Sequence, residues 1–178
     1  MSLTVLLDIN QALEVRVAEA LEPFVGTDIA FPNVVFRPPE NAPWARVNHL
    51  PGRTTPASVG LSAPTRRVGL CQVTIFYPIG QGARELMLAA QEVSAAFQQG
   101  TKLSHGGTTL TVQRVYPGPH MTEDGYTAIP LTVDWLAFTR DSADWLEAGT
   151  GTGDAPAITG DRTINGVLTE LGLEFGDG

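Results

Sequence analysis

The feature that most constrains this fold is a long segment, residues 67–77, in which a mainly apolar set of side chains alternates with a mixed set. One face carries the apolar residues Cys71, Val73, Ile75 and Tyr77. The other face is half polar and carries Leu70, Gln72, Thr74 and Phe76. A period of two residues is typical of a β-strand with one face in the core. The chain is therefore predicted to build its core on one side of a β-sheet.

Two segments have the spacing of amphipathic helices, and both are predicted to cover that sheet. Residues 4–24 place apolar side chains at steps of three and four, namely Ile9, Leu13, Val17, Leu21 and Phe24. Residues 82–97 do the same with Leu86, Ala90, Val93 and Phe97. Because each helix has one apolar stripe, both stripes are predicted to pack on the same face of the sheet.

Further strand predictions come from short β-rich runs. Residues 28–36 are interrupted by Pro32 and predict an edge strand. The other predicted strands are residues 44–50, residues 109–116 with a possible bulge, and residues 127–139. Residues 51–64 are rich in Gly, Pro, Ser and Thr, which predicts a long loop, and long loops in compact domains are usually functional or disordered.

The order of elements predicts the fold class. Helix, short strands, long strand, helix and two strands do not alternate regularly, so a parallel α/β fold is disfavoured. We expect an α+β domain over residues 1–140, with a mixed or antiparallel sheet of about four to five strands and two helices on one face.

Charge separates a C-terminal extension, residues 141–178, from the rest of the chain. The formal net charge is −8, and the extension holds eight acidic residues against the single base Arg162. The first 140 residues carry ten basic and eleven acidic side chains, so they lack the basic excess that tight nucleic-acid binding requires. Residues 148–161 are mostly Gly, Thr, Ala and Asp and predict a flexible linker. The acidic extension is interpreted as a solvated end, with a docking arm as the alternative.

Two glycines after the long strand superficially match a dinucleotide-binding loop. Gly80 and Gly82 precede the second helix, but the third glycine position of that motif holds Glu85. A carboxylate there repels a pyrophosphate, whereas it stabilises the positive end of a helix dipole. The segment is therefore interpreted as a turn, and no nucleotide or other cofactor is predicted.

The remaining reactive residues do not form a catalytic or metal-binding pattern. His49, His105 and His120 fall in three separate loop-like stretches and are interpreted as surface residues. Cys71 is predicted to be a buried, inert thiol because it lies on the apolar strand face. The cluster Glu123-Asp124-Gly125 between two strands is typical of a hairpin turn. These patterns predict neither an enzyme nor a metal site, and no apolar run of about 18 residues indicates a membrane span.

A candidate protein interface is predicted from arginines and from the half-polar strand face. Arginine is enriched in interfaces, and this is the one concentration of positive charge along the chain, with simple solvation as the alternative. The candidate residues are Arg46, Arg53, Arg66, Arg67, Gln72 and Thr74.

The order of these motifs resembles one protein family. The first helix is followed by Ile29-Ala-Phe-Pro-Asn-Val-Val-Phe36, by Trp44-Ala-Arg-Val47, and by a strand, proline, Gly-x-Gly and helix from Gly69 to Phe97. This order is similar to that of the tail terminator (tail completion) proteins of long-tailed phages and prophages, over about the first 140 residues.

The resemblance implies a structural role in the virion. Such a protein is made in the host cytoplasm and forms a homo-hexameric ring on the head-proximal end of the tail tube. There it stops tube polymerisation and presents a surface for the head–tail connector, while genomic DNA passes through the lumen without specific binding. The alternatives are a head–tail connector or minor tail protein of the same virion, or an enzyme of unknown chemistry.

Overall fold

The computed structural model describes residues 3–59 and 63–140. These residues form two helices and seven strands in a single chain order. The elements are α1 (Leu3–Val25), β1 (Ile29–Ala30), β2 (Trp44–Pro56), β3 (Thr65–Pro78), α2 (Arg84–Ala96), β4 (Lys102–His105), β5 (Thr108–Pro117), β6 (Met121–Glu123) and β7 (Tyr126–Thr139). The C-terminal extension predicted from residue 141 onward lies outside the described residues.

The strands form one curled, mixed sheet with the order β1-β2-β3-β7-β5-β4, and β6 pairs with β7 beside this path. The strand β1 is parallel to β2, and the other pairs are antiparallel. The centre of the sheet is the β3–β7 pair, whose register is unbroken from Thr65 opposite Thr139 to Pro78 opposite Tyr126. The α+β class and the mixed sheet are therefore confirmed.

The predicted number of strands was wrong, because the described residues contain seven strands rather than four to five. The strands β4 and β6, of four and three residues, are too short and too polar to show a period of two. Residues 28–36 contribute only the two-residue strand β1, because the chain turns away at Pro32 and at Asn33, which has a φ of 59°.

The prediction that residues 51–64 form a loop was also wrong in part. The strand β2 continues to Pro56, and its register with β3 shifts between Pro51 and Thr54. The β2–β3 hairpin continues for one more residue pair beyond Pro56 and Thr65, since the Ala57 N–H donates to the Pro64 carbonyl oxygen at 2.8 Å. The bulge predicted in residues 109–116 is confirmed between Val112 and Arg114.

Both helices pack on the face of the sheet that carries Cys71, Val73, Ile75 and Tyr77, as the alternation predicted. In α1 the fully buried residues include Leu13, Val17 and Leu21, and in α2 they include Leu86 and Val93. The helices also touch each other, because Arg16 Nε donates to the Ala96 carbonyl oxygen at 3.2 Å. Burial of each large aliphatic side chain contributes roughly 1.5–3 kcal/mol, so this face holds most of the apolar stabilisation.

Candidate interaction surfaces

The first candidate surface is the distal end of the β2–β3 hairpin, here called the arm and defined as residues 51–56 and 65–66. All six residues from Pro51 to Pro56 are exposed, and so is Arg66. The strand β1 pairs only with Ala45 and Arg46, so among the described residues the outer edge of β2 has no strand partner beyond Arg46. An unpaired strand edge is a template for contact with another chain.

Three of the predicted interface arginines lie at this end of the hairpin, but only two are available to a partner. Arg53 and Arg66 are exposed, and neither has an ion pair with any residue in the described ranges. Arg67 is only 3% exposed, and its Nε donates to Thr139 Oγ1 at 3.1 Å. Position 67 lies an even number of residues from the core-facing residues of β3, so the Arg67 side chain is on the same face as they are. Its guanidinium is therefore bound within the fold and is not available to a partner.

The other predicted residues lie together on the opposite, helix-free face of the sheet. Arg46 is paired with Thr74, and Gln72 is paired with the neighbouring Asn48. Thr74 is buried, Gln72 is half-buried, and the Arg46 side chain is 38% exposed. The six residues proposed from the sequence therefore do not form one patch: Arg46, Gln72 and Thr74 are separated along β3 from Arg53 and Arg66.

The second candidate surface is a cavity of about 740 Å³ that the sequence did not predict. Its floor is Trp44, which stacks on Phe76 with ring centroids 3.9 Å apart and planes 3° from parallel. Tyr126 closes one side edge-on to Trp44, and its hydroxyl donates to the Pro39 carbonyl oxygen at 2.5 Å. The lining residues are Pro38, Pro39, Glu40, Asn41, Trp44, Arg46, Phe76, Pro78, Glu123, Asp124, Gly125 and Tyr126.

The cavity is acidic at its rim. Glu40, Glu123 and Asp124 face a single cation, Arg46, so the lining carries a net charge of −2. Arg46 already has partners within the chain, because its Nη1 lies 3.5 Å from Glu123 Oε1 and its Cζ lies 5.1 Å from the centre of the Phe76 ring. Glu40 and Asp124 are exposed and have no ion pair with any residue that the structure describes. This leaves two unpaired carboxylates beside an aromatic floor.

The cavity depends on the turn that was predicted from Glu123-Asp124-Gly125. That turn is confirmed, since it joins β6 to β7 with φ angles of 47° at Asp124 and 83° at Gly125. Two positive φ angles are typical of the tight hairpin turn that matches strand twist. The turn holds the acidic rim beside Trp44, and Trp44 Nε1 is itself buried without a hydrogen-bond partner in the described part of the chain.

The histidines differ from the sequence interpretation in two respects, since His49 lies in β2 and His105 is the last residue of β4. His49 is not a surface loop residue: it lies in β2 with its side chain 9% exposed, and its Nε2 is 2.9 Å from Glu14 Oε1. His105 lies 3.7 Å from Asp8, and His120 is exposed beside a second cavity of about 440 Å³. In residues 3–59 and 63–140, no three His, Cys, Asp or Glu side chains gather as metal ligands would.

Cys71 is buried, as predicted, and burial raises the pKa of its thiol to about 12, with a smaller contribution from the nearby Glu14 charge. Such a thiol has almost no reactive thiolate at neutral pH. The helices in the described ranges include none with the length and apolarity needed to cross a membrane.

Comparisons with known proteins agree on one fold. A solved structure of a protein without a descriptive name matches with a TM-score of 0.60 and 24% identity, over 72% of this chain and 92% of the other. A chain in the structure of the virion of a native gene transfer agent particle matches with a TM-score of 0.52 and 17% identity, over 77% and 99%. No curated protein matches the sequence.

A family model gives the stronger result, because it matches residues 8–135 and so covers almost the whole described fold from α1 to β7. The family is described as phage tail terminator protein. The match contains most of α1, all of α2, the arm and the cavity. The chain therefore belongs to the phage tail terminator protein family.

Proposed function

We propose that this protein assembles as a homo-hexameric ring on the head-proximal end of a phage tail tube, ends tube polymerisation and provides the surface for head–tail joining. The observation that carries the proposal is the family match over residues 8–135. Membership of this family makes the protein a structural component of a phage-type tail. The finer role, a ring that caps the tail tube, is what we propose.

Two features of the described surface support assembly with other proteins. The exposed arm and the acidic cavity each present charged groups without an ion-pair partner among residues 3–59 and 63–140, namely Arg53 and Arg66 on one and Glu40 and Asp124 on the other. Unpaired charges of this kind favour recognition by complementary surfaces. The expected partners are further copies of this chain, the tail tube protein and the head–tail connector protein.

The proposal is tested by adding the purified protein to tail tube protein under polymerising conditions and measuring tube lengths by negative-stain electron microscopy. We expect elongation to stop and a ring to appear at one end of each tube. Tubes of unchanged length with bare ends would refute the role of terminator. A ring that binds connector assemblies but leaves bare tubes growing would favour the alternative, a head–tail connector.

Genomic DNA is proposed to pass through the ring lumen without specific binding, since residues 1–140 carry a formal charge of only −1. Counterion release by clustered basic residues drives DNA binding, and this part of the chain has no basic excess. Fluorescence anisotropy with a labelled duplex at 50 mM salt should therefore show no saturable binding. Tight binding that weakens steeply with salt would contradict this part of the proposal.

The acidic extension, residues 141–178, is proposed to be a separate solvated segment, with a docking arm for the connector as the alternative. Its eight acidic residues and one arginine resist binding to DNA phosphates. Deletion of residues 148–178 separates the two roles. Normal capping with normal head joining would indicate a solubilising end, whereas capped tubes that fail to join heads would indicate a docking arm.

A further inference from the structure

We propose that the acidic cavity beside Trp44 receives the arm of a second copy of this chain, so that the subunits associate head to tail. The inference rests on the proposed function, because it names the contact between neighbours in the ring. The occupant is the segment of residues 51–56 and 65–66 of the neighbouring subunit.

Charge complementarity is the first argument for this occupant. The arm presents Arg53 and Arg66, and the sequence contains no acidic residue between Glu40 and Glu85. Nothing on the arm therefore neutralises these arginines. The cavity has the opposite balance, with net charge −2 and with Glu40 and Asp124 unpaired among the described residues. Facing surfaces of opposite sign steer association and fix its register.

The shape and chemistry of the cavity suit an arginine-bearing strand. Its floor is the Trp44–Phe76 stack, and its sides include Pro38, Pro39 and Tyr126. A guanidinium binds aromatic faces as well as carboxylates, and the cavity already shows this arrangement within the chain, where Arg46 lies over Phe76 and beside Glu123. A second arginine from outside would meet the exposed carboxylates of Glu40 and Asp124 and the partly exposed ring of Tyr126.

The positions of the two surfaces in the sheet make the contact head to tail. The arm lies at the start of β3, at Arg66, and the cavity lies at its end, at Phe76 and Pro78. Ten residues of strand separate them, which is roughly 33 Å at about 3.3 Å per residue. Because the two surfaces differ and lie at opposite ends of the strand, each subunit can offer its arm to one neighbour and its cavity to another. The arm and the cavity form a heterologous contact, which closes into a ring or continues as a filament.

The test uses two charge-reversed variants and their mixture. The arm variant is Arg53→Glu with Arg66→Glu, and the cavity variant is Glu40→Lys with Asp124→Asn. All four positions are exposed, so the circular dichroism spectrum and melting temperature of each variant should match the wild type. Asparagine is chosen for position 124 because it tolerates the positive φ of Asp124. The matched control is Arg84→Glu, since Arg84 is an exposed arginine outside both surfaces.

Assembly is measured by multi-angle light scattering across a concentration series, and by ring counts on tail tubes. Each variant alone should lose self-association by on the order of tenfold or more, because like charges then face each other, while the control should assemble as the wild type does. A one-to-one mixture of the two variants should regain assembly, since the wild-type arm of one variant meets the wild-type cavity of the other, and the two altered surfaces also carry opposite charges. A single chain with all four substitutions should regain assembly.

Three results would overturn the inference. Variants that assemble with wild-type affinity, while the wild type still forms rings and caps tubes, would refute this contact and leave the proposed function standing. A mixture and a fourfold variant that stay as dissociated as each variant alone would show that these charges do not pair across the contact. A wild-type protein that stays monomeric both at high concentration and on tubes would refute the ring and this contact together.

Discussion

Replacement of Gly69 by alanine should destabilise the fold, because this glycine lies directly under the indole of Trp135. The two residues are paired across β3 and β7, and Trp135 is only 3% exposed. A Cβ added at position 69 would lie 2.7 Å from Trp135 Cε2, closer still to Cζ2, and 3.0 Å from the Leu50 carbonyl oxygen. None of these atoms is the end of a flexible side chain, so the buried indole must shift.

The expected cost follows from two opposing effects. Overpacking of a core site costs about 1–3 kcal/mol, and the loss of glycine's backbone freedom in the unfolded chain returns up to about 1 kcal/mol. We therefore expect a net loss of about 1–2 kcal/mol in the free energy of unfolding, seen as a melting temperature lowered by roughly 3–10 °C. Urea and thermal denaturation followed by far-UV circular dichroism measure both quantities.

A Trp135→Phe background provides the matched control. The smaller ring removes the bicyclic part that the new methyl group would strike, so Gly69→Ala should cost less there than in the wild type. A double-mutant cycle gives this coupling directly. If Gly69→Ala leaves the free energy of unfolding unchanged, or lowers it equally in both backgrounds, then the contact with Trp135 does not explain why position 69 holds glycine.

Three further predictions concern the core and the cavity turn. Because the folded Cys71 thiol has its pKa raised to about 12 against 9.0 for an exposed thiol, the unfolding free energy should fall above pH 9 as only the unfolded chain loses the proton. The Cys71 contribution to the slope should approach about 1.4 kcal/mol per pH unit and be absent in Cys71→Ala, as measured by urea titrations at several pH values. Phe97→Ala should cost about 3–5 kcal/mol in urea denaturation, because Phe97 is fully buried in the helix–sheet core. Gly125→Ala, at a φ of 83°, should cost about 1–2 kcal/mol by thermal denaturation, whereas Gly125→Asn should cost less.

The candidate site was only partly predictable from the sequence. The arginines Arg53 and Arg66 were identified because charge and chain position are visible in the residues themselves. The cavity was not identified, because its residues come from separated segments that the register brings together, with Trp44 opposite Phe76 and Phe76 opposite Ala128. The acidic turn then lies beside them because β6 pairs with the first residues of β7. The aromatic residues at the strand ends were visible in the sequence, but only the strand pairing shows that they lie together.

The sequence by itself determined the helices, the long central strands and the face of the sheet that holds the core. These features are local, because a period of two or of 3.6 residues decides which side chains share a face whatever the distant partners are. Tertiary structure alone decided that β2 extends through the polar residues 51–56, since β3 supplies the hydrogen bonds that their composition does not predict. It also decided that Arg67 is buried against Thr139 and that His49 lies beside Glu14, because the environment of a polar side chain is set by the neighbours that pairing and packing bring to it.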